Sequence, residues 1–134
     1  MSEWKTICHV DDIPPQGARR VRRSRGGEVA VFRTGEGRVF ALLDRCPHKG
    51  GPLSQGIVFG EHVACPLHNW AIGLADGVAR LPDLGCTPVF QVKVEDGVVH
   101  LLADELANHA TGEHPDAAED LCDARRVIAI AAAR

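Results

Sequence analysis

Over residues 3–102 the chain falls into short apolar-rich runs, some of them alternating with polar positions, broken by glycine, proline and aspartate. A period of two puts every second side chain on one face of a strand, so these runs predict an all-β fold. The predicted strands are Trp4–Cys8, Ala18–Arg22, Glu28–Arg33, Arg38–Asp44, Ile57–Phe59, His62–Ala64, Ala71–Leu74, Val89–Val94 and Val98–Leu102. The last two form the clearest hairpin. Phe90, Val92 and Val94 alternate, and Asp96-Gly97 supplies a turn that tolerates positive φ. Gly35-Glu36-Gly37 and Asp76-Gly77 mark two further turns.

After Leu102 the pattern changes, which divides the chain into residues 1–102 and a C-terminal extension, 103–134. Residues 103–115 hold Gly112 and Pro115, favour no regular element and read as a linker. Asp116-Ala117-Ala118-Glu119 then resembles a capping box with Asp as N-cap. Behind it Leu121, Ala124, Ile128 and Ala131 share one face of a candidate helix. A loosely attached tail or a docking helix is the expectation there.

At 134 residues the chain is one domain with an appendage. A chain of this size buries roughly two-thirds of its unfolded surface, so it needs no metal merely to fold. The net charge of −3 hides an asymmetry: residues 1–50 carry ten Lys/Arg against six Asp/Glu, and residues 103–134 carry three against seven. Arg19, Arg20, Arg22, Arg23 and Arg25 supply most of the basic excess and are expected on a solvated strand. The patch is small and lacks interleaved aromatics, which argues against a nucleic-acid partner. No apolar stretch reaches eighteen residues and no signal peptide is recognisable, so neither a membrane anchor nor export is expected. Five cysteines are an odd, scattered set, and free thiols in a cytoplasmic protein are the expectation.

Candidate chemistry concentrates in two loops. Cys46-Pro47-His48 is followed, after sixteen intervening residues, by Cys65-Pro66-Leu67-His68. Each loop offers one thiolate and one imidazole. That set suits a two-iron, two-sulfur cluster in which one iron takes both cysteines and the other both histidines. Two ferric ions, two sulfides and two thiolates are electrically neutral together, whereas four thiolates leave two negative charges. The neutral assembly accepts an electron more readily, at roughly −150 to +300 mV against about −400 mV for plant-type ferredoxins. The chemistry indicated is the movement of single electrons.

Zinc is the alternative, because two cysteines and two histidines also satisfy its tetrahedron. Zinc modules usually open with a cysteine pair two to four residues apart, and none exists here. The interval between the loops accommodates a strand and a turn, so each loop can be a hairpin tip. Each ligand pair also carries its own proline, and Gly50 and Gly51 flank the first. Glycine admits close backbone approach to a bound group and proline stiffens a covering loop. A third loop, Arg80–Cys86, is placed to fold over the same site, with Cys86 a small core residue or a redox-sensitive thiol. His9, His62, His100, His109 and His114 lack ligand spacing and are expected at the surface. No Ser/His/Asp set, phosphate loop or dinucleotide glycine motif is apparent, so catalysis by this chain alone is not expected.

Cys46-Pro-His48 and Cys65-Pro-Leu-His68, in these surroundings, resemble the Rieske domain family. The resemblance covers about residues 3–102. It implies a β-sandwich or barrel with an inserted cluster-binding subdomain. By it, Cys46 and Cys65 hold a buried iron, and His48 and His68 hold an iron near the surface where electrons leave. Beside these ligands, Leu67 and Trp70 are expected either to shield the cluster from water or to serve as ordinary core residues, and Lys49 is either a plain exposed lysine or a partner contact. Within the family, Cys46–Val58, Cys65–Trp70, Gly85-Cys86 and Val92–Gly97 are similar to the small subunit of assimilatory NAD(P)H-dependent nitrite reductase. That resemblance implies a large subunit carrying flavin, a further iron–sulfur cluster and sirohaem, which reduces nitrite to ammonium. The alternatives are a stand-alone Rieske ferredoxin feeding a ring-hydroxylating dioxygenase and a zinc-bound or cluster-free interaction module. Asn69-Trp70 looks less like the ferredoxins, which tend to place glycine and aromatic residues there. The chain has no tyrosine to hydrogen-bond a cluster, which predicts a potential in the lower part of the Rieske range.

Overall fold

The computed structural model describes residues 3–23, 26–46, 51–66, 71–80 and 85–109. Among these residues the strands are β1 (Trp4–His9), β2 (Gly17–Val21), β3 (Val29–Arg33), β4 (Val39–Leu43), β5 (Ile57–Phe59), β6 (His62–Ala64), β7 (Ala71–Gly73), β8 (Val89–Phe90), β9 (Val92–Glu95) and β10 (Val98–Leu102). They form three antiparallel sheets, ordered β1-β10-β9, β2-β3-β4-β8 and β5-β6-β7. The all-β expectation holds, with the third sheet inserted between β4 and β8 of the second.

The middle sheet explains why β3 reads as an unbroken apolar run rather than an alternation. Val29, Ala30, Val31 and Phe32 are all fully buried, because this strand has a core on each face. Val29 and Val31 pack with Val99 and Leu101 of β10, while Ala30 and Phe32 pack with Val58, Val63 and Ile72 of the inserted sheet. On β4, Leu42 joins the second group and Ala41 and Leu43 the first. A strand sandwiched between two layers has no solvent face on which to place polar residues.

The expected hairpin is present. Asp96 at φ 51° and Gly97 at φ 78° link β9 to β10, with Glu95 opposite Val98. Two consecutive positive-φ residues give the turn whose twist matches that of its strands.

Two expectations are corrected. The run Val89–Val94 is not one strand: β8 pairs with β4, β9 pairs with β10, and Gln91 carries the chain between sheets. The alternation survives this transfer because Phe90 and Val92 both face the same core. Residues 103–108, read as linker, form a short helix, α1 (Ala103–Asn108), whose Leu106 is buried in that core. Arg23 holds this helix, donating to the carbonyls of Glu105, Leu106 and His109 at its C-terminal end. The candidate helix behind Asp116 lies outside the described residues.

Candidate metal centre

The first ligand loop leaves the end of β4, crosses from the middle sheet to the inserted one and enters β5 through a 3₁₀ turn at Leu53–Gln55. It is therefore a crossover, not the hairpin tip expected. Cys46 begins it, and its N–H donates to the Gly51 carbonyl at 2.7 Å, closing the base of the loop. Leu53, fully buried, anchors the far side in the core. The second loop is a hairpin tip: Ala64 pairs with Ala71 across β6 and β7, and Cys65 is the first residue past the pair.

The two loops meet through Gly56. A side chain there would place its Cβ 2.1 Å from the carbonyl oxygen of Ala64, the residue before Cys65. Only a glycine lets the end of the first loop lie this close to the start of the second. The stem of the third loop stands alongside, with the Arg80 N–H donating to the Ala71 carbonyl at 2.8 Å and Val78 bridged to Cys86.

Both cysteines are 1% exposed and belong to one core group with Leu53, Val58, Val63 and Ile72. This pair of dry thiols in an apolar wall fits the sulfur-ligated half of an iron–sulfur cluster, since soft thiolates suit such metals and an apolar shell limits solvent access. His48, His68, Lys49, Leu67 and Trp70 lie outside the described residues. Among the described residues no three metal-binding side chains converge.

The other cysteines, the histidines and the arginine run divide between expectation and correction. Cys8 is half-buried and free. Cys86 is buried and disulfide-bonded, which corrects the expectation of free thiols at that position. Among the histidines, His9 is exposed, whereas His62, His100 and His109 are partly buried and His114 lies outside the described residues. His109 is corrected from a surface residue. Its ring Nε2 is 2.9 Å from the Val89 carbonyl and its edge meets Phe90, with centroids 4.8 Å apart. The arginine run is more than a solvated strand: Arg20 pairs with Glu28 at 3.2 Å and Arg23 crosses to α1, while Arg22 stays exposed. Arg25 lies outside the described residues.

Sequence reading missed Asp44 and Ser54. One Asp44 carboxylate oxygen accepts the Ser54 N–H at 2.7 Å and the other accepts the Ser54 hydroxyl at 2.7 Å. The pair is ten residues apart and follows no periodicity. Its only sequence signal was an acidic side chain at the end of an otherwise apolar strand.

Compared with known proteins, residues 3–91 match the Rieske [2Fe-2S] domain family. The chain is 32% identical over 103 residues to ferredoxin CarAc of Metapseudomonas resinovorans, covering 76% of this chain and 95% of that one. It is 35% identical over 108 residues to the nitrite reductase (NADH) small subunit of Salmonella typhimurium, covering 75% and 98%. The crystal structure of a putative NADH-dependent nitrite reductase small subunit from Mycobacterium tuberculosis superimposes with a TM-score of 0.67 at 29% identity, covering 76% and 96%. Against four longer relatives the chain spans 42% of the relative's length or less.

Proposed function

This chain belongs to the Rieske [2Fe-2S] domain family, and from that membership we propose that Cys46 and Cys65 hold one iron of the cluster and His48 and His68 the other. The family's cofactor is a two-iron, two-sulfur cluster, which when bound supplies a one-electron store. The chain's own residues do the rest. Cys46 and Cys65 lose their thiol protons on binding metal, as thiolate ligation requires. Leu53, Val58, Val63 and Ile72 keep water from the cysteine side. The Cys46–Gly51 hydrogen bond closes the base of the first loop, and the Gly56–Ala64 contact sets it against the second. The domain is assigned to residues 1–102, with 103–134 as an extension that opens with α1.

The protein is a Rieske electron-transfer domain. Its specific role we assign as the small subunit of an NAD(P)H-dependent nitrite reductase in nitrate assimilation, working with a large subunit that carries flavin and sirohaem. The observation that carries this is the wording of Cys46–Val58 and Cys65–Trp70, supported by the near-full-length match to a nitrite reductase small subunit. No helix among the described residues is long and apolar enough to cross a membrane. A second reading, a ferredoxin serving a ring-hydroxylating oxygenase, is favoured by the 32% identity to a ferredoxin over nearly its whole length.

The two readings separate by partner. The reduced chain is mixed with a sirohaem-containing large subunit and, separately, with a ring-hydroxylating oxygenase component, and its reoxidation is followed by stopped flow. Reoxidation by the sirohaem subunit and not by the oxygenase is expected. The opposite preference would make the chain a ferredoxin.

A further inference from the structure

Among the described residues, Asp44 is a buried carboxylate to which ligation of the cluster gives no role. Asp44 lies two residues before Cys46 and its side chain is 4% exposed. It accepts two hydrogen bonds from Ser54, both at 2.7 Å, one from the backbone and one from the hydroxyl. The Arg20 Nε stands 3.6 Å from the oxygen that receives the hydroxyl, and another Arg20 nitrogen reaches Glu28 at 3.2 Å. Hydrogen bonds to a carboxylate are about twice as strong as neutral ones, and burial makes each costly to leave unmade.

The two ties of this loop are nested. The inner one, from the Cys46 N–H to the Gly51 carbonyl, closes the segment bearing His48. The outer one, Asp44 to Ser54, closes the stem around it. Leu53, beside Ser54, fixes the depth of the stem in the core that contains both cysteines. A side chain acting only as a surface staple would gain little from such burial.

We propose that Asp44 is a positioning residue for the first ligand loop, acting through Ser54 to hold the stem that presents Cys46 and His48; this rests on the assignment of those two residues as ligands. Release of the outer tie leaves the inner tie, the buried Leu53 and the Gly56–Ala64 contact to hold the loop.

The test uses the full chain and three substitutions: Asp44→Asn, which keeps shape but loses charge; Ser54→Ala, which keeps the backbone tie; and Ser54→Thr, which restores a hydroxyl. In cluster-free protein, amide hydrogen exchange is expected to quicken about tenfold or more at both Ser54 and Cys46 in Asp44→Asn, with β3 and β10 unchanged. After loading with iron and sulfide, Asp44→Asn and Ser54→Ala are expected to lose the cluster to a chelator faster and to show a shifted midpoint potential. Ser54→Thr is expected to match wild type. If exchange quickens at Ser54 alone, and both potential and cluster loss stay at wild-type values, the clamp is only a local staple and the proposal is overturned. Failure of Asp44→Asn to fold would leave Ser54→Ala to decide. A wild-type chain that takes up no iron would overturn the ligand assignment and the role toward a cluster. The exchange pattern would still report separately whether the two ties are coupled.

Discussion

Replacing Gly56 by alanine tests whether the two ligand loops are held together by one backbone contact. Gly56 has φ −82° and ψ −178°, values any residue adopts, so the substitution carries no dihedral penalty. Its cost is steric. The added Cβ would stand 2.1 Å from the Ala64 carbonyl oxygen and 3.1 Å from the Leu53 carbonyl oxygen, where real contacts stay above 3.0 Å. Something must move by roughly 1 Å, and neither side is free to move. Ala64 is paired with Ile57 on one side and Ala71 on the other. The Gly56 N–H is itself bound to the Leu53 carbonyl at 2.9 Å. Overpacking of this kind costs about 1–3 kcal/mol, and loss of unfolded-state freedom returns about 0.4–1 kcal/mol. With backbone on both sides of the clash, we expect the upper range and a net loss of about 2 kcal/mol. For a domain of this size that lowers Tm by about 7–10 °C. Gly60→Ala is the control. Gly60 has φ +54° and nothing within 4 Å of a built Cβ, so it is expected to cost only about 1 kcal/mol in backbone conformation and to keep the site. The assay is urea unfolding followed by circular dichroism, with iron per chain measured on each variant. Gly56→Ala is expected to be the less stable and to retain less iron. A Gly56→Ala protein as stable as Gly60→Ala, with full iron content, would refute the reasoning.

Two further outcomes follow from the same structure. Arg23→Ala removes the donor to the Glu105, Leu106 and His109 carbonyls and the cation 5.1 Å over the Phe90 ring. It is expected to cost about 2 kcal/mol and to speed amide exchange in α1, while leaving iron content unchanged. Burial pushes the Cys8 thiol above its ordinary pKa of 9.0, with nearby Arg19 opposing the shift and Asp12 adding to it. The stability this lends is fully present below the unfolded pKa and is lost as pH rises through the folded one. Urea midpoints should therefore fall more steeply above about pH 9 in wild type than in Cys8→Ala; equal slopes would count against that assignment.

The strands were legible in the sequence because most of them keep one face toward a core, and the period of two records that directly. Where the pattern misled, it did so for a physical reason. Val89–Val94 alternates without interruption although the chain changes sheets at Gln91, since periodicity reports which face is buried and not which neighbour is bonded. Ala103–Asn108 was invisible as a helix because six residues are too few to show a stripe, and its stability comes from Leu106 and the Arg23 cap. The candidate site was proposed from chemistry alone, cysteine and histidine at fixed spacing, and its two histidines lie outside the described residues. The structure adds the shared burial of Cys46 and Cys65. What no spacing showed was the support around them, Gly56 against Ala64 and Asp44 against Ser54, because each joins residues whose pairing depends on the folded backbone.

The central claim is mixed cysteine and histidine ligation by Cys46, Cys65, His48 and His68. Pulsed EPR of the anaerobically loaded, dithionite-reduced chain tests it most directly, because a nitrogen bound to iron couples strongly to the unpaired electron. The account predicts two strongly coupled nitrogens, and loss of this signal in His48→Ala and in His68→Ala while the β fold persists. A reduced cluster without bound nitrogen, or a colourless chain carrying one zinc, would contradict it.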